Sequence, residues 1–314
     1  MRLSKSDLAD LLRSAGATLF ALGVLVLVVR RSMNDDLSQL SIFLLLLAPA
    51  TGLYMLVLLD GPASGDRAPA STTVLAILAI LLGTGAMFAF LNLVGARTSD
   101  TLYEAGGFAF GGLLAAFTAS RLRVAYAALF AALAALVTWQ VVWAQIIPHA
   151  SADTTRWLLL AAAVLLLVFA ARLARANAIG SREVATAGAI AAVSAGLVGV
   201  AVGALNGSLD LFDTGGGRDL GIFNDHASGL QSFGWDLYLL VVSVSLVWLG
   251  ARVRARGLGY VGGFGLLAFI VSVGTQITRF EAGKTASDSL AGWPLALLLL
   301  GLLGLAAPRL LRSE

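Results

Sequence analysis

The sequence predicts an all-α, polytopic integral membrane protein with about ten transmembrane helices. Of its 314 residues, 59% are hydrophobic and only 12% are charged, about half the charged fraction of a soluble domain. The apolar residues form continuous runs near the roughly 20 residues that a spanning helix needs, without the alternation of barrel strands. The 21 Lys and Arg residues lie mainly between these runs, which indicates a membrane protein and not a nucleic-acid-binding one.

Ten apolar runs follow one another along the chain, separated by charged or polar residues. The first and sixth are short for a span, so these two helices should extend into their flanking residues. The runs cover residues 15–29, 38–59, 72–95, 102–119, 124–147, 157–171, 184–205, 233–249, 257–277 and 290–307.

The residues before the first run mix leucines with charges, a pattern typical of a short amphipathic helix on a membrane surface. A frayed terminus explains the same pattern equally well. The first run ends at Arg30 and Arg31 without a small-residue cleavage site, so we interpret it as a retained span and not a signal peptide. Residues 1–71 then form an amphipathic segment followed by a helical hairpin.

The distribution of positive charge predicts the orientation. If the N-terminus is cytoplasmic, twice as many of the 21 Lys and Arg residues fall on the cytoplasmic side as on the other. Short cytoplasmic loops of membrane proteins carry such an excess. We therefore expect a multi-pass protein of a bacterial cytoplasmic (inner) membrane, with both termini in the cytoplasm.

The rarer residues recur in one order in helices 3 to 6 and 7 to 10, which predicts an internal repeat. The recurring pairs are Gly85 and Gly199, Asn92 and Asn206, Glu104 and Asp236, Tyr126 and Tyr260, Phe130 and Phe264, Trp157 and Trp293, and Arg172 and Arg309. Residues 72–182 and 183–314 would be two four-helix units, the second with an extracytoplasmic loop at 206–232. Since four is even, both units would insert with the same orientation. The alternative is convergent placement of interfacial Trp and snorkelling Arg.

Polar side chains of the predicted spans fall in the extracytoplasmic half. The candidate ligand-binding residues are Asn92, Glu104, Gln140, Asn206, Asp236 and Gln276. One hypothesis is a pocket open to the outside in which Glu104 and Asp236 are symmetry-related carboxylates, because ionisable groups within spans are usually functional. The alternative is interhelical hydrogen bonding and helix capping, worth about 1 kcal/mol or less per contact.

Metal binding and catalysis have little support in the sequence. Asp210, Asp213 and Asp219 lie near flexible glycines in the 206–232 loop, where carboxylates could surround calcium. Their spacing is not that of an EF-hand and Arg218 opposes a cation, so a solvated or partner-binding loop is favoured. The chain has no Cys, and its two His residues lie in predicted outer loops. No catalytic motif is present, so we predict neither an enzyme nor a cofactor.

Three glycine pairs with the Gly-x-x-x-Gly spacing predict close helix packing. They are Gly107 and Gly111, Gly199 and Gly203, and Gly259 and Gly263. Such glycine-rich faces could also hold copies of the chain together as an oligomer.

The C-terminal third resembles bacterial polytopic membrane proteins of unknown function. The residues that carry this resemblance are Gly234-Trp235-Asp236, the turn at Arg252 to Arg256, Gly259-Tyr260-Val261-Gly262-Gly263 and Ala291-Gly292-Trp293-Pro294, and it covers residues 215–314. The helix number also resembles the drug/metabolite transporter superfamily, although the inverted five-helix halves of that family differ from a four-helix period. Neither resemblance implies an activity for particular residues.

These observations favour a non-catalytic scaffold or sensor that meets an extracytoplasmic protein or small ligand at its outer polar face. The alternative is a permease for a small or amphipathic solute, with the same face as its outer vestibule.

Overall fold

A computed structural model of the chain describes residues 5–32, 37–60, 69–96, 101–148, 150–175, 177–212 and 233–280. These residues form nine α-helices, without a strand in the described ranges. The helices are α1 (Lys5–Ser32), α2 (Gln39–Asp60), α3 (Ala70–Leu93), α4 (Thr101–Leu122), α5 (Ala125–Ile146), α6 (Ala152–Leu173), α7 (Ala178–Phe212), α8 (Phe233–Val253) and α9 (Arg256–Phe280). The tenth predicted helix, residues 290–307, lies outside the described residues.

Six of these helices, α1, α2, α3, α5, α6 and α8, are long and apolar enough to cross a membrane. Each of the nine coincides with one of the first nine apolar runs. The prediction of an all-helical, multi-pass membrane protein is therefore confirmed, and the length and composition of a transmembrane helix are established for six of the ten predicted spans.

Helix ends differ from the predicted ones where polar residues continue a helix. The amphipathic N-terminal segment is continuous with the first span in α1, and Asp10 Oδ1 accepts a hydrogen bond of 3.0 Å from Ser71 Oγ at the start of α3. The sixth helix begins five residues before the predicted position because Ser151 caps it, accepting a hydrogen bond from the Thr154 amide. The predicted 206–232 loop begins too early, since α7 continues to Phe212.

Helices that follow one another pack as hairpins, α2 with α3, α4 with α5, α6 with α7 and α8 with α9. In the C-terminal half α7 is central, because it also contacts α5, α8 and α9. Its buried face is formed by alanines, and Ala187, Ala189, Ala191 and Ala195 are all fully buried. Small side chains on α7 let its neighbours approach closely and leave an apolar centre.

Two turns share an unusual backbone conformation. Arg123, between α4 and α5, and Arg254, between α8 and α9, both have a φ of 55°. This left-handed conformation is usually occupied by Gly at helix C-termini, and a side chain there costs roughly 1–2 kcal/mol.

The structure distinguishes between the predicted glycine pairs. A Cβ at Gly107 or Gly111 would overlap the Phe88 ring or the Thr84 hydroxyl of α3, so this pair packs α4 against α3 as predicted. Gly259 takes part in the close packing of α8 against α9, because a Cβ at Gly250 of α8 would lie 2.6 Å from the Gly259 amide nitrogen. A Cβ at Gly263 would meet no atom of the described residues within 4 Å, so this second glycine does not contribute to the packing described there. The side chains around Gly199 and Gly203 are not described.

Gly262 is the glycine of α9 at which we expect a methyl group to be destabilising. A Cβ there would lie 2.7 Å from the Ser243 carbonyl oxygen and 2.8 Å from the Val247 amide nitrogen of α8. Backbone atoms cannot move aside singly, so we expect Gly262→Ala to lower the free energy of unfolding by about 1–3 kcal/mol. Gly263→Ala is the matched control and should be neutral or slightly stabilising, because it gains helix propensity in open space. Thermal unfolding in detergent measures both, and equal losses would contradict this packing.

Candidate functional site: a buried arginine and aromatic residues joining α6 and α8

Arg156 is the largest fully buried side chain among the described residues, with 1% of its surface exposed. It lies in the second turn of α6, which begins beyond the Ser151 cap. Its Nη1 donates to Asp153 Oδ1 at 2.8 Å, and the Asp153 side chain is 69% exposed. One turn of α6 therefore places a buried cation and a solvated carboxylate in contact.

The side chain of Trp235, in the first turn of α8, covers the arginine. The Arg156 guanidinium carbon lies 4.8 Å from the centroid of the Trp235 ring. Trp157 packs edge-on against the same ring, with centroids 6.0 Å apart. A desolvated cation–π contact is worth about 2 kcal/mol. Since α6 and α8 both pack against α7, these large side chains connect the two helices at one end of the bundle.

Asp236 follows Trp235 and is buried, with 2% of its surface exposed. Tyr238, which packs on Trp235 with ring centroids 5.4 Å apart, donates its hydroxyl hydrogen to the Ala192 carbonyl of α7 at 2.9 Å. A buried charge is tolerated where an opposite charge compensates it, and this cluster buries a cation and an anion together. We call Asp153, Arg156, Trp157, Trp235, Asp236 and Tyr238 the Arg156 cluster.

The Arg156 cluster combines one cation, two carboxylates and three aromatic rings at the N-terminal ends of two helices. Asp153 and Asp236 are in the first turns of α6 and α8, where an acid also complements the helix dipole. Across the described residues, no group of three or more His, Cys, Asp or Glu side chains could hold a metal ion. The side chains of the cluster therefore offer ionic and aromatic contacts.

Two of the predicted site residues, Asn92 and Glu104, lie close together, because Asn92 bonds the residue before Glu104. A third, Asp236, is on α8, which packs against other helices. Asn92 Nδ2 donates to Tyr103 Oη at 3.0 Å, and that hydroxyl donates to the Phe88 carbonyl at 3.1 Å. Glu104 itself is exposed. Because α4 packs against α3 and α5, whereas α8 packs against α7 and α9, the structure places Glu104 and Asp236 in separate helix groups and in different surroundings.

Gln140, a third predicted site residue, is half-buried in α5. Its Nε2, like Thr138 Oγ1, is buried without a hydrogen-bond partner in the described part of the chain. Trp139, next to it, donates its Nε1 hydrogen to the Leu158 carbonyl at 3.1 Å, so this polar segment of α5 lies beside the turn of α6 that carries Arg156.

The remaining candidates lie outside what the structure describes. Asn206 and Asp210 are in α7 and Gln276 is in α9, but their side chains are not among those described. Asp213 and Asp219 are outside the described ranges altogether.

No protein-family model, curated protein or solved structure matches this chain. The resemblances noted from the sequence therefore gain no support from relatives and meet no contradiction. Function has to be argued from the side chains themselves.

Asp236 is the residue of the cluster that the sequence identified as a site, and the other five, Asp153, Arg156, Trp157, Trp235 and Tyr238, were not identified. Arg156 lies just outside the predicted sixth span, because that apolar run begins at Trp157. The spacing of three between Asp153 and Arg156, which brings side chains together on a helix, is the signal that indicates this pair. Recognising Ser151 as an N-cap would have placed both residues on the helix.

Proposed function

We propose that the protein is a non-catalytic scaffold or sensor of a bacterial cytoplasmic membrane, with both termini in the cytoplasm. It meets a ligand or partner at the extracytoplasmic ends of α6 and α8. The observation that carries this proposal is the Arg156 cluster, in which buried opposite charges support an exposed edge. Asp153, Trp157 and Leu237 form that edge. The Asp153 side chain is 69% exposed, and the whole Trp157 residue is 65% exposed. An exposed Trp beside a charge is typical of recognition surfaces.

The packing next to the cluster favours a scaffold or sensor over a permease. The fully buried alanines of α7, from Ala187 to Ala195, pack against apolar residues of α5, α6, α8 and α9. A hydrated solute crossing there would lose its hydrogen bonds, at a cost of several kcal/mol.

A permease for a small or amphipathic solute is the second candidate, and one observation favours it. Thr138 Oγ1 and Gln140 Nε2 are buried in α5 without hydrogen-bond partners among the described residues. Buried polar groups are normally paired, so these two atoms could pair with a polar solute.

We further propose that the two four-helix units derive from a duplication. Arg123 and Arg254 have the same φ of 55° at corresponding turns. An aromatic residue followed by an acid begins both preceding helices, as Tyr103-Glu104 in α4 and Trp235-Asp236 in α8. The differing burial of Glu104 and Asp236 then represents divergence, with Trp235 of the second copy having gained the contact with Arg156 of α6.

Site-specific photo-crosslinking in intact cells tests the scaffold or sensor proposal. Leu237 is exposed at the edge of the cluster, and Val241 is exposed one turn further along α8. We expect a photoreactive residue at position 237 to give an adduct with a defined protein or small ligand, and the matched residue at 241 to give lipid adducts only. Lipid adducts alone at both positions would contradict the proposal. Uptake by the purified protein in liposomes, abolished by Gln140→Leu, would instead support the permease.

A further inference from the structure

A groove of about 420 Å³ lies between α2, α3 and α4, far along the chain from the Arg156 cluster. Its floor is formed by small residues of α3, Ala79, Gly83 and Ala86, which are spaced so that they share one helix face. Larger side chains of α2 and α4, including Phe43 and Phe110, form its walls. The volume is within the range of small-molecule sites, roughly 300–1,000 Å³. Small residues between large ones therefore create a binding site in a part of the bundle that is otherwise closely packed.

The groove is lined almost entirely by hydrocarbon. The Thr51 hydroxyl donates to the Leu47 carbonyl at 2.8 Å. The Tyr54 hydroxyl forms a hydrogen bond of 3.2 Å with the Thr118 hydroxyl. Both lining hydroxyls are already hydrogen-bonded within the protein. A polar solute that entered the groove would therefore lose its hydrogen bonds to water without forming new ones. Met55 and Phe90 line the groove and are exposed, so it opens towards the surroundings of two apolar spans. An alkyl chain from the bilayer is the occupant that this chemistry fits.

Two arginines follow the lining residue Leu114 at the C-terminal end of α4. Arg121 lies three residues beyond Thr118 on α4, a rise of about 4.5 Å along the helix axis. Arg123 follows in the turn, and both side chains are exposed. Arg123 has the left-handed conformation already described, with a φ of 55°. Basic residues at a helix end beside an intramembrane groove are complementary to an anionic lipid headgroup.

We propose that an anionic phospholipid binds here, with one acyl chain in the groove between α2, α3 and α4 and its phosphate against Arg121 and Arg123. The apolar groove selects the chain and the two arginines select the negative headgroup. This site is independent of the proposed scaffold or sensor function.

Native mass spectrometry of the full chain, titrated with phosphatidylglycerol and separately with phosphatidylcholine, tests the proposal. We expect phosphatidylglycerol to bind more tightly. Replacing both arginines, Arg121→Gln with Arg123→Gln, should weaken its binding by about fivefold for each charge removed. Equal binding of the two lipids by the unaltered chain would overturn the assignment of an anionic ligand.

The α8–α9 turn offers a matched control for the arginines. Arg252 and Arg254 have the same spacing, and Arg254 has the same φ of 55° as Arg123, but neither α8 nor α9 contributes a lining residue to the groove. Arg252→Gln with Arg254→Gln should leave phosphatidylglycerol affinity unchanged. An equal loss in both double variants would mean that basic charge attracts the lipid without a site.

A third variant tests the acyl chain. Thr51 lines the groove but is exposed, so Thr51→Phe can add a ring there without overpacking the core. We expect it to weaken binding of the long-chain lipid several-fold while the thermal unfolding temperature stays the same. Unchanged affinity would show that no chain occupies the groove, and the proposal would fail.

Discussion

Replacing Arg156 by Met is expected to lower the free energy of unfolding by about 2 kcal/mol, because it removes a desolvated cation that stacks on the Trp235 ring and pairs with Asp153. Met fills a similar volume but leaves the buried Asp236 carboxylate without the cation of its cluster. It also removes the charge that Trp235 covers at 4.8 Å. Arg156→Lys should recover only part of the loss, since an ammonium group has neither the planar stacking surface nor the forked donors of a guanidinium.

Chemical or thermal unfolding of the protein in detergent measures this effect. Arg172→Met is the matched control, because Arg172 is in the last turn of the same helix and is exposed. Its loss should stay within about 0.5 kcal/mol. If Arg156→Met costs no more than Arg172→Met, the cluster does not hold α6 and α8 together.

The second large effect is expected from Asp236 and should be absent at Glu104, although the sequence makes the two acids equivalent. Asp236→Asn keeps the shape of the side chain but removes a buried negative charge from the Arg156 cluster. We expect a loss of about 1–3 kcal/mol, the cost of disturbing the hydrogen bonding of a buried polar group. Glu104→Gln, on an exposed face of α4, should change stability by no more than about 0.5 kcal/mol.

The same unfolding assay compares the two variants, and the double variant should lose the sum of the two, because the acids lie on separate helix groups. A marked departure from additivity would instead support the single shared pocket that the sequence suggests. Equal losses from the two single variants would contradict the difference in burial between Asp236 and Glu104.

Hydropathy alone predicted the nine described helices. Each apolar run has to be buried, either in the bilayer or against another apolar surface, and a helix satisfies its own backbone hydrogen bonds there. It was less accurate at the ends, where polar residues decide. Ser151 begins α6 through a hydrogen bond, and α7 continues to Phe212 past the last apolar residue of its run. Local hydrogen bonding of this kind is not visible in a hydropathy average.

The site was only partly predictable for a different reason. Asp236 was identified as an acid within a predicted span, which is uncommon in any sequence. Arg156 was not, because its burial depends on α8 arriving beside α6, and nothing local specifies that contact. The glycines of α9 show the same limit, since the sequence spacing identifies Gly263, whereas Gly262 is the neighbouring position that meets the α8 backbone. Which face of a helix meets its neighbour is a tertiary property.

The connection between α6 and α8 has a consequence for the order of synthesis. About 80 residues separate Arg156 from Trp235 and Asp236, and a ribosome adds roughly 5–20 residues per second. The nascent chain therefore carries Arg156 for about 4–16 seconds before its cover from α8 exists. During that interval Asp153, three residues earlier on the same helix, is the counter-ion already available. We therefore expect α6 and α7 to insert as a hairpin with this ion pair already formed, before Trp235 of α8 covers the arginine.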